Sequence, residues 1–311
     1  MAILRTSKTI LAAKKESSYG VAVTLAGTNC LLVSDVSLNP VATEPKERTN
    51  IRGFAGNFPT IPSNTKVELS FALELTPSGS AGTSPDYDEL LLGVGLVRTD
   101  VSSTSNTYTP DPTLDDADSL TIGVYIDGSL HKLTGARGTF SISLTASEIP
   151  MINMSFIGIY NDPTVTALLT PSYAQLAPIA ANSDNTTGFQ LHSYAGSLMS
   201  FSYDHNNALY YSELMSGTKS TRITDRKPTG SCTIESVPLG TKNYYTIVNS
   251  SATGNLTWQH GQSAGNKITF TAPYVDLQDI AQDDNEGYQM LNIGYRALPS
   301  SGNDEMSLKF H

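Results

Sequence analysis

Between Lys66 and Leu75 the chain alternates, with Val67, Leu69, Phe71, Leu73 and Leu75 on one side and Lys66, Glu68, Ser70 and Glu74 on the other. Period-2 alternation of this length fits a strand with one face buried, since a helix would scatter the same apolar residues around its circumference. Gly138–Leu144 and Pro150–Tyr160 repeat the pattern, with a turn expected at Ala146-Ser147-Glu148, and so do Lys267–Thr271 and Tyr288–Tyr295. The best helical signal is Asp86–Gly95, with Ser84 as the candidate N-cap, Pro85 at N1 and acids in the first turn. The chain is therefore mainly β.

The pieces also recur in order. An outer strand at Leu32–Pro40 precedes a polar excursion over Val41–Thr60, then Pro62, the alternating strand, Tyr87, a basic strand start at His131-Lys132-Leu133-Thr134 and a closing hairpin to Tyr160. The second half opens with Leu198–Asp204 and an excursion over His205–Thr224. Pro228, the strand Ser231–Val237, Tyr244-Tyr245, the start Asn266–Thr269 and a hairpin to Ala297 follow. Matching positions lie 165 apart at Val33 and Leu198, 157 at Tyr87 and Tyr244, and 135 at Lys132 and Lys267. A shrinking offset places the deletions of the second copy in loops, where they cost least. Pro163, Pro171 and Pro178 mark a linker within Asn161–Gly188. The division expected is 1–165 with an N-terminal arm, a linker at 166–188, and 189–311.

Composition narrows the function. Charged residues make up 15% of the 311, against about 25% in an average globular chain. Interface cores are poor in charge, so a permanent assembly is favoured over a freely diffusing enzyme. The net charge of −10 argues against a reader that grips phosphates with a basic surface. No apolar run is long enough to cross a bilayer, and the start Met1–Arg5 lacks the apolar stretch of a secretion signal, so no membrane partner is expected. Cys30 and Cys232, in no metal-binding pattern, read as buried thiols.

Catalytic chemistry is hard to place. Walker, nucleophile-elbow, HExxH and EF-hand patterns are missing, and no two histidines are spaced as a local metal pair. His205 beside Asp204 resembles an acid/base pair but reads as a solvated loop histidine. Two acidic clusters, Asp111, Asp115, Asp116 and Asp118, and Asp276, Asp279, Asp283, Asp284 and Glu286, lack calcium-loop spacing and read as solvated loops whose repulsion limits strand-edge pairing. No enzyme and no cofactor are expected. The rival reading is a secreted or surface two-domain β-sandwich binding module, an adhesin or carbohydrate binder, which the lack of a signal segment disfavours.

Several motifs together carry a resemblance: Glu16-Ser17-Ser18-Tyr19-Gly20-Val21 before an outer strand, the arginine-bearing loop Glu47–Gly56, Ile61–Val67, Gly79–Pro85, His131–Gly138 and Gly265–Pro273. In that order they resemble the tail tube proteins of long-tailed bacteriophages, over nearly the whole chain. The resemblance implies two tandem tail-tube-type β-sandwich or partial-barrel domains, each with a short flanking helix. It implies rings of six domains, hence three chains, stacked into a hollow tube that delivers double-stranded DNA to the host. Expected partners are further copies of the chain, a tape-measure protein, a tail terminator and distal tail proteins. The expected location is the virion tail, after assembly in the host cytoplasm.

The long excursion would then be the loop that reaches the neighbouring ring, with Phe54 and Phe58 as anchors and Glu44, Glu47, Arg48 and Arg52 setting register. Glu68, Ser70 and Glu74 are candidates for the lumen wall, which should be neutral or electronegative to let DNA slide. The N-terminal arm, residues 1–29, is expected on an adjacent subunit or ring.

Overall fold

The computed structural model describes residues 5, 7–114 and 117–311. In chain order the strands are β1 (Thr9–Lys15), β2 (Cys30–Leu31), β3 (Ser34–Ala42), β4 (Lys66–Glu74), β5 (Leu96–Val101), β6 (Ser105–Pro110), β7 (Leu120–Ile126), β8 (Ser129–Thr145) and β9 (Met151–Tyr160). They continue as β10 (Thr164–Val165), β11 (Thr186–Leu191), β12 (Leu198–Asp204), β13 (Asn207–Ser212), β14 (Ser220–Arg226), β15 (Thr229–Glu235), β16 (Thr253–His260), β17 (Ile268–Asn285), β18 (Tyr288–Ala297) and β19 (Ser307–Phe310). Two short helices, α1 (Asp88–Gly93) and α2 (Tyr244–Ser250), flank the strands. The protein is mostly β, as the alternation predicts.

Two similar arrangements follow one another. In the first half β3, β4, β9 and β8 are hydrogen-bonded in that order, and β8 continues to β7 and β1. In the second half β12, β15, β18 and β17 follow the same order, and β17 continues to β16 and β11. The short strands β10 and β19 border β8 and β17 in matching places. The offset falls because the β5–β6 hairpin, inserted between α1 and β7, has no counterpart between α2 and β16.

The halves share one sheet. Ser141–Thr145 of β8 pairs with Ser200–Asp204 of β12, and β19 reaches back to β6. An eight-strand layer thus runs β3-β4-β9-β8-β12-β15-β18-β17. Its apolar side includes Phe71, Phe140, Met154, Phe201, Cys232 and Ile293. These share one core with Ile122 and Val124 of β7, Trp258 of β16, and Leu90, Leu91 and Tyr244 of the helices. Both cysteines are free and buried.

Several expectations are corrected. The N-terminal arm does not leave its own chain: β1 sits between β7 and β2, and buried Glu16 accepts hydrogen bonds from Ser119, Thr121, Gly135 and Gly20. Residues 1–4 and 6 lie outside the described residues. Helix α1 begins at Asp88 with Tyr87 as N-cap, not at Ser84, because buried Tyr87 is held by its hydroxyl on the Thr76 carbonyl at 2.7 Å. The second excursion is the β13–β14 hairpin, which lies against β8 and β9 of the first half. Asn207 fixes it there through amide donation to the carbonyls of Val94 and Gly138. The proline-marked segment Asn161–Gly188 holds β10 and the start of β11.

Of the two acidic clusters, the described members of the first, Asp111 and Asp118, lie in the loop between β6 and β7 as expected, and the second does not form a loop. Asp276, Asp279, Asp283 and Asp284 lie on β17, with Glu286 in the tight turn to β18. Asp111 is buried, Asp118 pairs with Lys15 at 2.6 Å, and Asp115 and Asp116 lie outside the described residues.

His205 is fully buried rather than solvated, 4.8 Å from the Phe140 ring and bonded through Nδ1 to the Tyr203 hydroxyl at 2.8 Å. Burial, aided by the Arg226 charge, lowers its pKa to about 3. The unfolded chain takes up the proton near pH 6.5 and the folded chain does not. Stability is therefore full above that pH and declines by about 1.4 kcal/mol per unit as pH falls toward 3. Replacing His205 with Gln is expected to remove about 2 kcal/mol of the loss between pH 6.5 and 5. Urea unfolding at the two pH values checks this, and an unchanged pH slope would contradict it.

Candidate assembly surfaces

Two surfaces stand apart from the core of the chain. The first is the arm between β3 and β4, residues 43–65. Apart from one bridge, Lys46 to Ile61, it pairs with none of the described strands. Phe54 is 71% exposed and Ile51 wholly so. Its aromatic and basic residues form a cluster: the Arg52 guanidinium stands 4.4 Å from both the Phe54 and Phe58 rings, and Arg48 stands 5.8 Å from Phe58. Arg52 also donates to the Asn57 carbonyl at 3.1 Å. Cation–π stacking holds the exposed rings in a fixed shape. Glu44 belongs to the base of the arm instead, 3.6 Å from Lys46 and accepting from Asn64; Glu47 is exposed nearby. The structure thus gathers Arg48, Arg52, Phe54 and Phe58 and leaves the two glutamates apart.

The second surface is the side of the eight-strand layer turned away from the core. Alternation puts Glu68, Ser70 and Glu74 there on β4. The pairing register extends the row through Ser155 and Thr139, and through Asn153, Ser141 and Asp204 to Thr229 and Arg296. A parallel row holds Ser143, Ser202, Ser231, Gly294 and Asp279. Short hydroxyls dominate, and the carboxylates of Glu74, Asp204, Glu235, Asp279 and Asp283 outnumber Lys66 and Arg296. Lys66 is itself paired to Glu68 at 2.9 Å. A shallow hollow of about 330 Å³ on this side is rimmed by Asp35 and Asp204. The repeat points to second-half members as well: Glu235 follows Glu74 and Ser231 follows Ser70 by the same 161 positions.

Among the described residues no three His, Cys, Asp or Glu side chains gather as a metal site, and no helix is long and apolar enough to cross a membrane. Curated proteins offer no match to the chain. A family model described as phage tail tube protein matches residues 6–297, which takes in both halves, the exposed arm and the polar layer between them. With 292 of 311 positions inside that match and a mainly antiparallel β fold around it, the chain belongs to the phage tail tube protein family, whose members are structural proteins that self-assemble in the virion tail.

Proposed function

We propose that the chain is two fused tube units, 1–165 and 189–311 joined at 166–188, and that three copies close a ring of six units. Rings stack into the tail tube, and the polar layer lines a channel through which double-stranded DNA passes to the host. The observation that carries this reading is the layer itself: one face buried, the other a continuous hydroxyl-rich, net acidic surface crossing both halves. Eight strands from each of three chains make 24. At about 4.8 Å between strands and a tilt near 40°, such a barrel has a backbone diameter of about 48 Å. Side chains on its wall still leave room for a duplex, and closure removes the open edges that a lone sheet would expose.

Glu68, Ser70 and Glu74 belong to this wall in our reading. The carboxylates repel phosphates, so DNA slides rather than binds. The role is mechanical, with neither enzyme activity nor cofactor. Assembly takes place in the host cytoplasm, and the tube ends meet the tape-measure, terminator and distal tail proteins. A soluble monomeric binding module is disfavoured because it would not need so large a polar layer with free strand edges.

The arm at 43–65 makes contacts to another copy through Phe54 and Phe58, held by Arg48 and Arg52, with Glu44 and Glu47 setting register at its base. Replacing residues 47–60 with a short Gly/Ser linker is expected to change unfolding free energy by less than about 0.5 kcal/mol, because these residues touch little of their own chain. It is expected to abolish tubes in negative-stain electron microscopy. Normal tubes from this variant would overturn the arm's role. Native mass spectrometry of isolated rings tests the stoichiometry: three chains are expected, and six would defeat the fused-unit reading.

A further inference from the structure

We infer that the distal half of β17 in one copy pairs antiparallel with β3 of the next copy in a fixed register, Ala281 opposite Asn39, Asp283 opposite Ser37 and Asn285 opposite Asp35. The inference rests on the ring reading and adds to it the two strands that meet and their residue-by-residue match.

The template lies inside the chain. Strand β8 uses one edge twice, bonding β7 along Ser129–Ala136 and then β12 along Ser141–Thr145. Strand β17, its counterpart, bonds β16 along the same edge from Ile268 to Asp276, but from Asp279 to Asn285 that edge meets none of the described strands of its own chain. At the other end of the layer β3, the counterpart of β12, pairs among the described strands only with β4. Each copy therefore ends in one unpaired donor strand and one unpaired acceptor strand of the kinds that are joined at its centre.

Burial marks the same difference. Where β8 meets β12, Phe140, Ile142, Leu144, Phe201 and Tyr203 are all 2% exposed or less. At the free ends Gln282 and Asp284 are exposed, and Val36 and Leu38 are only half-buried.

The register follows by superposing the ladders. Met154 lies opposite both Phe71 and Phe140, and Ile293 lies opposite both Cys232 and Ile280. Ile280 therefore corresponds to Phe140, and Asp283 to Ser143. Leu38 lies opposite Leu69, and Tyr203 lies opposite Gly230. Both edge strands enter through a bulge, so Val36 and Leu38 correspond to Phe201 and Tyr203, and Ser37 to Ser202. The internal pair Ser143 with Ser202 then becomes Asp283 with Ser37 between copies.

Two details refine the match. His205 donates its backbone N–H to the Phe140 carbonyl at 3.0 Å, whereas the corresponding residue in β3 is Pro40, which has no N–H. The new ladder therefore stops at Asn39. The acids of β17 also select the partner. Pairing two β17 edges with each other would bring Asp279, Asp283, Asp284 and Glu286 face to face with their copies, whereas β3 offers a single acid, Asp35.

The internal ladder places Ser143 and Ser202 as a non-hydrogen-bonded pair, flanked by the bonded pairs at Phe140 and Ala146. Such pairs hold their Cα atoms about 4.5 Å apart, within disulfide reach. Full-length protein carrying Ser37→Cys and Asp283→Cys is assembled, oxidised and run on a non-reducing gel. A ladder of linked chains ending at three is expected. Asp283→Cys combined with Asp35→Cys or with Asn39→Cys is expected to link far less, and Ser143→Cys with Ser202→Cys is expected to close a disulfide within one chain.

As a second measurement on the unmodified protein, hydrogen exchange should slow on assembly at the amides of Val36, Leu38, Gln282 and Asp284. Closed rings that give no cross-link, preferential linking of a slipped pair, or unchanged exchange at those amides would overturn the register while leaving the ring intact. Wild-type protein that forms no ring at all would overturn both.

Discussion

Replacing Glu305 with Ala is expected to lower the unfolding free energy by about 3–5 kcal/mol, the usual result of leaving one charge of a buried pair alone. Arg226 and Glu305 are 6% and 9% exposed. One guanidinium nitrogen donates to both carboxylate oxygens at 3.0 and 3.1 Å and to Asn303 at 3.1 Å. Another reaches the Asp111 carbonyl at 3.4 Å. The group therefore ties the β14 arm and the C-terminal segment of the second half to the β6 end of the first. Without Glu305 the buried guanidinium keeps only neutral hydrogen-bond acceptors, Asn303 and the Asp111 carbonyl. Substituting both residues together, Arg226→Met with Glu305→Leu, should recover most of the loss, since no charge is left buried. Denaturant unfolding of the two variants checks this, and a loss under about 1 kcal/mol for Glu305→Ala would show that water reaches the pair.

The parts of the fold legible in the sequence are those whose burial is set along one strand. Val67, Leu69, Phe71 and Leu73 are each no more than 2% exposed, as their alternation requires. The recurring order of the strands is legible for the same reason, and Tyr87 and Tyr244 stand at the starts of the two helices with buried rings. What escaped is burial supplied from elsewhere. Strand β1 is covered on both faces, Leu11 and Ala13 by the main core and Ala12 by a second cluster with Leu25, Cys30, Tyr125 and Leu130, so Leu11, Ala12 and Ala13 show no alternation. The β13–β14 hairpin finds its partners in the first half of the chain, and His205 is buried by Phe140, 65 positions earlier. On the candidate wall, β4 was readable by itself. The acids of β12, β15 and β17 join it only through pairings remote in sequence.

Reversing the charge at two positions of the wall, with Glu74→Lys and Glu235→Lys, is expected to leave assembly intact and arrest DNA. Both residues point away from the core, Glu235 exposed and Glu74 half-buried, so the folding cost should stay near 0.5 kcal/mol per site. In a three-chain ring the double variant places six cations around the channel. Each phosphate contact contributes about −0.9 to the slope of log affinity against log salt, so six give a slope near −5. DNA binding to open-ended tubes should then fall about a thousandfold between 50 and 200 mM salt, whereas wild-type tubes should show no such salt-dependent binding. Phage carrying the variant should form normal tails and eject DNA slowly, with partial rescue at high salt. The acids act together in this account: a sliding wall needs no single essential residue, only a surplus of carboxylate over cation at every level the duplex passes. If the variant tubes bind DNA no better than wild type while remaining open and intact, the polar layer does not face the channel.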